Sequence, residues 1–179
     1  MRFDAVGKPE DVPLKWEMTR SAEALDRITN DLDLRRAELS TAEFDAIWGI
    51  YKREGLERRM PHLRSGYAAL VIDLDQMHDR NLEFGHAGVD WRMTQVFLRI
   101  RENDTYAGRW KRGDEVVVFV HQDDAEGLAI RALVTCELYG MPATMVLVSA
   151  TLAGIASGIA AIEVAKKAGK RGQILEALV

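Results

Sequence analysis

Between Gly140 and Ile162 the chain runs GMPATMVLVSATLAGIASGIAAI without a single charge. A stretch of that length crosses a bilayer as one helix, or is buried in a core as several shorter elements. Gly154 and Gly158 add a GxxxG, the spacing at which membrane helices dimerise. The run is uneven in composition, however. TMVLVSATL is β-branched and reads as a strand, while GIASGIAAIEVAKKAG has the make-up of a helix. On composition the expectation is a buried strand, a turn and a small-residue helix, with a membrane span as the competing reading.

The rest of the composition supports a packed core. At 179 residues, with 47% hydrophobic and 29% charged, the chain is one domain, or one domain with an appendage, and not a disordered segment. A chain of this size buries roughly 70% of the surface its unfolded form exposes. The formal charge of −4 excludes a general nucleic-acid coat or a polybasic membrane binder. Cys136 is the single cysteine, which excludes an intrachain disulfide framework and a cysteine-rich zinc module, and suits a reducing compartment. The opening MRFDAVGKPEDVPLKW has no apolar core of a leader peptide, so the expected location is the cytoplasm.

Along the chain, residues 1–64 read as a helical lead-in. SAEALDRITNDLDLRRAEL from Ser21 is helical in composition, and Ser40 or Thr41 caps a further helix, TAEFDAIWGIYKREGLERR. In that helix Phe44, Ile47, Trp48 and Tyr51 fall at i, i+3, i+4 and i+7 and make one apolar face. Residues 65–179 then alternate. YAALVI is a strand closed by Asp73-Leu74-Asp75, and His86 to Arg101 a helix. Thr105–Trp110 and EVVVFV are two more strands. A helix from Asp124 to about Leu138 follows, then the strand, turn and helix of the uncharged run, and a short last strand, QILEALV. The order β-α-β-β-α-β is the ferredoxin-like or palm pattern, an α+β fold with a mixed sheet of about five strands.

In a palm the first and third of these strands lie side by side, so Asp73 faces the turn that carries Asp114 and Glu115. Clustered carboxylates repel one another unless a cation sits among them, and hard divalent ions prefer oxygen ligands. The fitting chemistry is metal-assisted nucleotidyl transfer. The competing reading is two solvated turns, where acidic residues are common. Lys166 and Lys170 share a helix face and suit a phosphate tail, although lysine also collects at helix C-termini. AKKAGKRG is not a P-loop. The four histidines, at 62, 78, 86 and 121, have no ligand spacing, and Cys136 lies on an apolar helix face.

These residues resemble a known family. VIDLDQMHDRNLEFGHAGVD is similar to the first block of GGDEF domains, the diguanylate cyclases, written IDLDxFKxxNDxxGHxxGD. RWKRGDEVVVF resembles their namesake turn and strand, TMVLVSATLA the later VTVSIGVA strand, and AIEVAKKAGKRGQI the ALYxAKxxGRNxV helix. Four blocks in order cover residues 67–175. The resemblance implies a palm-type GGDEF fold that condenses two GTP into cyclic di-GMP with Mg²⁺ or Mn²⁺. It implies metal ligation by Asp73, the Leu74 carbonyl, Asp114 and Glu115. Asp114 and Glu115 would also help deprotonate the 3′-hydroxyl. It implies guanine recognition by Asn81 and Asp90, and phosphate binding by Lys166 and Lys170. Arg101 and Asp104 have the RxxD spacing of the family's product-inhibition site. Because the product joins two GTP, the resemblance implies a homodimer, for which the lead-in is the candidate pairing element.

The departures are specific. Arg112 stands where the family has its first glycine, Val116 replaces the phenylalanine, and the turn is one residue longer. The DxLTGLxNR block that opens such domains is not recognisable, LDLRRAEL being a poor match. Two alternatives to an active cyclase stay open. One is a degenerate domain that binds GTP or cyclic di-GMP as a regulatory module; the other is a related palm making another cyclic nucleotide.

Overall fold

The structure is a computed structural model and describes residues 42–63, 65–100, 106–111 and 114–176. The first forty-one residues of the expected lead-in therefore lie outside the described residues. Six strands form one sheet: β1 (Phe44–Asp45), β2 (Ile50–Tyr51), β3 (Tyr67–Leu74), β4 (Tyr106–Arg109), β5 (Glu115–His121) and β6 (Ala143–Ser149). Their spatial order is β1-β2-β4-β5-β3-β6. The described helices are α1 (Arg53–Arg59), α2 (Met77–Ile100), α3 (Gln122–Leu138) and α4 (Leu152–Lys167). This is the expected α+β palm order, with β3 antiparallel to both β5 and β6.

Central β3 reads as a continuous apolar run because both of its faces are covered. Leu70, Ile72 and Leu74 pack with Val116, Val118 and Met145 against α2 and α3, which supply Val89, Met93, Phe97, Leu128 and Cys136. Ala69 and Val71 pack on the opposite face with Val117, Phe119 and Val148 against Ile155, Ile159 and Ile162 of α4. Leu70 is fully buried, so Leu70→Ala would cost about 2–5 kcal/mol.

The uncharged run divides as expected into β6 and α4. Thr151 caps the helix, its hydroxyl accepting from the Gly154 amide at 3.0 Å. Among the described residues no helix is long and apolar enough to cross a membrane. The second glycine of the GxxxG serves helix–sheet packing: a Cβ on Gly158 would stand 3.0–3.1 Å from Val148, Val146 and Val71.

Three elements differ from expectation. Residues 44–51, read as part of a helical lead-in, join the sheet as β1 and β2. Asp45 Oδ1 accepts from the Ile47 and Trp48 amides at 3.0 and 3.2 Å, and Gly49 adopts φ 69°, so the chain turns back and becomes helical only at Arg53. The proposed apolar face is thereby broken: Trp48 is buried and Ile47 exposed. Helix α2 begins at Met77 and not at His86, and is interrupted at Gly85, whose φ of 69° and ψ of 163° fall where other residues are strained. The last strand reduces, within the described residues, to one bridge between Ile174 and Met145.

Candidate active site

The β3–β5 register places Asp73 opposite Glu115, and the Leu74 amide donates to the Asp114 carbonyl at 3.0 Å. The two acidic segments that topology predicted to meet are thus adjacent. Across the other edge of β3, Asp73 faces Thr144 and Leu74 faces Ala143 of β6.

The last turn of α4 brings Lys166 to the same place. Its Nζ donates to Asp73 Oδ1 at 2.6 Å and to the Leu74 carbonyl at 3.3 Å, and it lies 2.9 Å from Asp75 Oδ1. Asp75 is buried. Its Oδ2 accepts from the Thr144 hydroxyl at 2.9 Å and the Gly172 amide at 3.0 Å, while its Oδ1 faces the lysine ammonium. Asp75 therefore ties the segment after α4 to the end of β3, a role that its place in sequence did not reveal.

Glu115 is buried as well. Its Oε1 accepts from Lys111 Nζ at 3.1 Å, and its Oε2 is enclosed without a partner among the described residues. Burial raises the Asp73 carboxyl above its ordinary value; the Lys166 hydrogen bond and charge oppose this, and the charges of Asp114 and Glu115 add to it. For Lys166, burial works against the charged form, but Asp73 and Asp75 outweigh it and raise the ammonium. Glu115 raises Lys111 through their hydrogen bond and mutual charge.

An ammonium held by two carboxylate oxygens and a carbonyl marks a place built for positive charge, and its donors are the hard oxygens that suit Mg²⁺ or Mn²⁺. Among the described residues no three His, Cys, Asp or Glu side chains are gathered as a metal cage. The buried Glu115 Oε2, unpaired among the described residues, and the carboxylate charge around Asp73 fit a divalent ion.

The other expected residues are distributed as follows. Asn81 and Asp90 lie on the two segments of α2 on either side of Gly85, and both are half-buried. Asp90 Oδ1 accepts from the Trp48 indole at 2.7 Å. Lys170 is exposed, and no ion pair joins it to the carboxylates. Arg101, Asp104, Arg112 and Gly113 lie outside the described residues.

No protein-family model matches the chain, and no curated protein sequence does. Solved structures do. A microbial GGDEF domain studied with cyclic di-GMP aligns at 22% identity with a TM-score of 0.64, over 76% of this chain and 97% of that one. The coiled coil and GGDEF domain of DgcB from Caulobacter crescentus, in complex with cyclic di-GMP, aligns at 18% identity and a TM-score of 0.64, over 92% and 99%. The fold is that of a GGDEF domain. A third structure with it, the diguanylate cyclase SiaD from Pseudomonas aeruginosa in complex with its activator SiaC, aligns at 17% identity and a TM-score of 0.58, over 94% and 77%.

The β1–β2 segment has the spacing of the opening block of such domains. Asp45-Ala46-Ile47-Trp48-Gly49-Ile50-Tyr51-Lys52-Arg53 keeps the spacing of DxLTGLxNR, with Trp48 for threonine and Lys52 for asparagine. The apolar period of 3.6 across this segment masks its turn signals, Asp45 and Gly49. Asp45 Oδ2 pairs with Arg109 Nη1 at 3.1 Å, which joins this block to the strand leading into the GDE turn.

Proposed function

We propose that the chain is a divergent diguanylate cyclase that condenses two GTP into cyclic di-GMP. The observation that carries this reading is the register of Asp73 against Glu115, with a buried Glu115 oxygen unpaired among the described residues and a lysine ammonium beside Asp73. In each half-reaction a 3′-hydroxyl oxygen forms a bond to the α-phosphorus of a second GTP, the bond to pyrophosphate breaks, and the hydroxyl proton leaves to base. Asp73, the Leu74 carbonyl, Asp114 and Glu115 would hold Mg²⁺ or Mn²⁺. A bound ion supplies charge neutralisation at the triphosphate and a lower pKa for the attacking hydroxyl.

The protein's own groups do the rest. Glu115, one of whose oxygens has no partner among the described residues, is the candidate proton acceptor. Lys166 carries a charge able to pass from Asp73 and Asp75 to the terminal phosphates. Asp90 and Asn81 offer a carboxylate and an amide to the N–H groups and carbonyl of guanine. Each site takes one GTP, so two chains must meet for turnover.

The alternative of a regulatory module that binds GTP or cyclic di-GMP is favoured by one contact, Lys111 on Glu115, which neutralises the proposed base from within the altered turn. Glu115→Gln distinguishes the readings. It should abolish GTP consumption while nucleotide binding persists if the chain is a cyclase. A wild-type protein that binds GTP and leaves it intact, with or without Glu115, would favour the module.

A further inference from the structure

From the geometry of the β1–β2 turn, we propose that Trp48 is a positioning residue for base recognition, acting through Asp90. This rests on the reading of Asp90 as the carboxylate that meets guanine.

The indole N–H donates to Asp90 Oδ1 at 2.7 Å, across 42 residues of sequence. An aspartate on a helix surface otherwise samples several rotamers. A guanine edge presents two parallel N–H donors, which a carboxylate matches only in one plane. A single short donor to Oδ1 selects that plane and leaves Oδ2, and one lone pair of Oδ1, for a ligand.

Trp48 is able to impose this orientation because it is itself buried and held by its neighbours. Its ring stacks on Phe97 with centroids 5.8 Å apart and an interplanar angle of 27°. The Arg109 guanidinium lies 3.4 Å from the ring centroid on the indole. Arg109 is in turn paired with Asp45, which also accepts from the Trp48 amide. Thr94, one helical turn beyond Asp90, has its hydroxyl 2.8 Å from both the Ile47 and Asp90 carbonyls, so turn and helix are pinned together at the contact. A tryptophan needed only to fill core volume would not require its polar atom aimed at a half-buried carboxylate.

The test uses the full chain and equilibrium binding of GTP and of inosine triphosphate, which lacks the guanine 2-amino donor. Trp48→Phe keeps the ring stack and removes the N–H. It should weaken GTP by about five- to twentyfold, weaken inosine triphosphate less, and so lower the GTP-to-inosine selectivity. In an Asp90→Ala background the same change should add nothing, since its route of action is gone. Equal loss for both nucleotides, additive loss in the double variant, or no change in either would overturn the proposal. Asp90→Ala that leaves GTP affinity intact would instead refute the base reading beneath it. If Trp48→Phe does not fold, 3-benzothienylalanine at position 48 retains the indole shape without the donor and is read by the same criteria.

Discussion

Replacing Lys166 by methionine removes one positive charge from between Asp73, Asp75 and the Leu74 carbonyl while keeping the apolar stem. The lysine side chain is 18% exposed, Asp73 14% and Asp75 2%, so little solvent screens the pair of contacts at 2.6 and 2.9 Å. Breaking a fully buried ion pair costs about 3–5 kcal/mol. Asp75 keeps its Thr144 and Gly172 donors, and Asp73 gains protonation as an escape, which brings the expected cost to about 2–3 kcal/mol. At this chain length that is a fall in melting temperature of about 4–12 °C. Urea unfolding at pH 7 measures it. Because the folded-state pKa of Lys166 is raised, its stabilisation is fully present below the unfolded lysine value of about 10.4 and is lost as pH rises through the higher folded value. The difference between wild type and Lys166→Met should therefore close only in strong alkali. A cost below about 0.5 kcal/mol at pH 7 would mean that the ammonium does not hold this cluster together.

Further outcomes follow from other groups. Asp73→Asn should stabilise the metal-free protein at neutral pH: burial raises the folded carboxyl, so charging it works against folding as pH rises from its ordinary 3.8 through the folded value. Thermal melts at pH 7 check this, and a loss of stability would contradict it. Burial pushes the Cys136 thiol up to about 12, so it should resist alkylation at pH 8 until the chain unfolds, as a thiol-reagent time course with and without denaturant would reveal. Cyclase activity per chain should rise with protein concentration, and deletion of residues 1–38 should weaken dimerisation more than GTP binding. A rate independent of dilution in a monomeric preparation would exclude the two-chain mechanism.

The sequence carried the sheet in readable form because β3, β5 and β6 are covered on both faces, which leaves apolar runs bounded by Asp, Gly and Pro. From their order came the pairing of β3 with β5, and from that the meeting of Asp73 and Glu115. Less legible was the segment from Phe44 to Tyr51. Its apolar spacing fits a helix by period, yet the Asp45 carboxylate binds two successive amides and Gly49 adopts positive φ, and these local bonds win. The link from Trp48 to Asp90 was beyond reach, since a contact between residues on separate elements has no signature in either. The helix position of Lys166 suggests a phosphate ligand; that it pairs with Asp73 and Asp75 depends on how α4 lies over β3, which periodicity does not define.

The proposed activity of this GGDEF fold is synthesis of cyclic di-GMP. Incubating the purified protein with GTP and Mg²⁺ or Mn²⁺, and identifying the products by mass, tests it most directly. The account predicts cyclic di-GMP with two pyrophosphates released per product, and none from Glu115→Gln. Intact GTP under conditions where binding is saturated, or a cyclic nucleotide other than cyclic di-GMP, would contradict it.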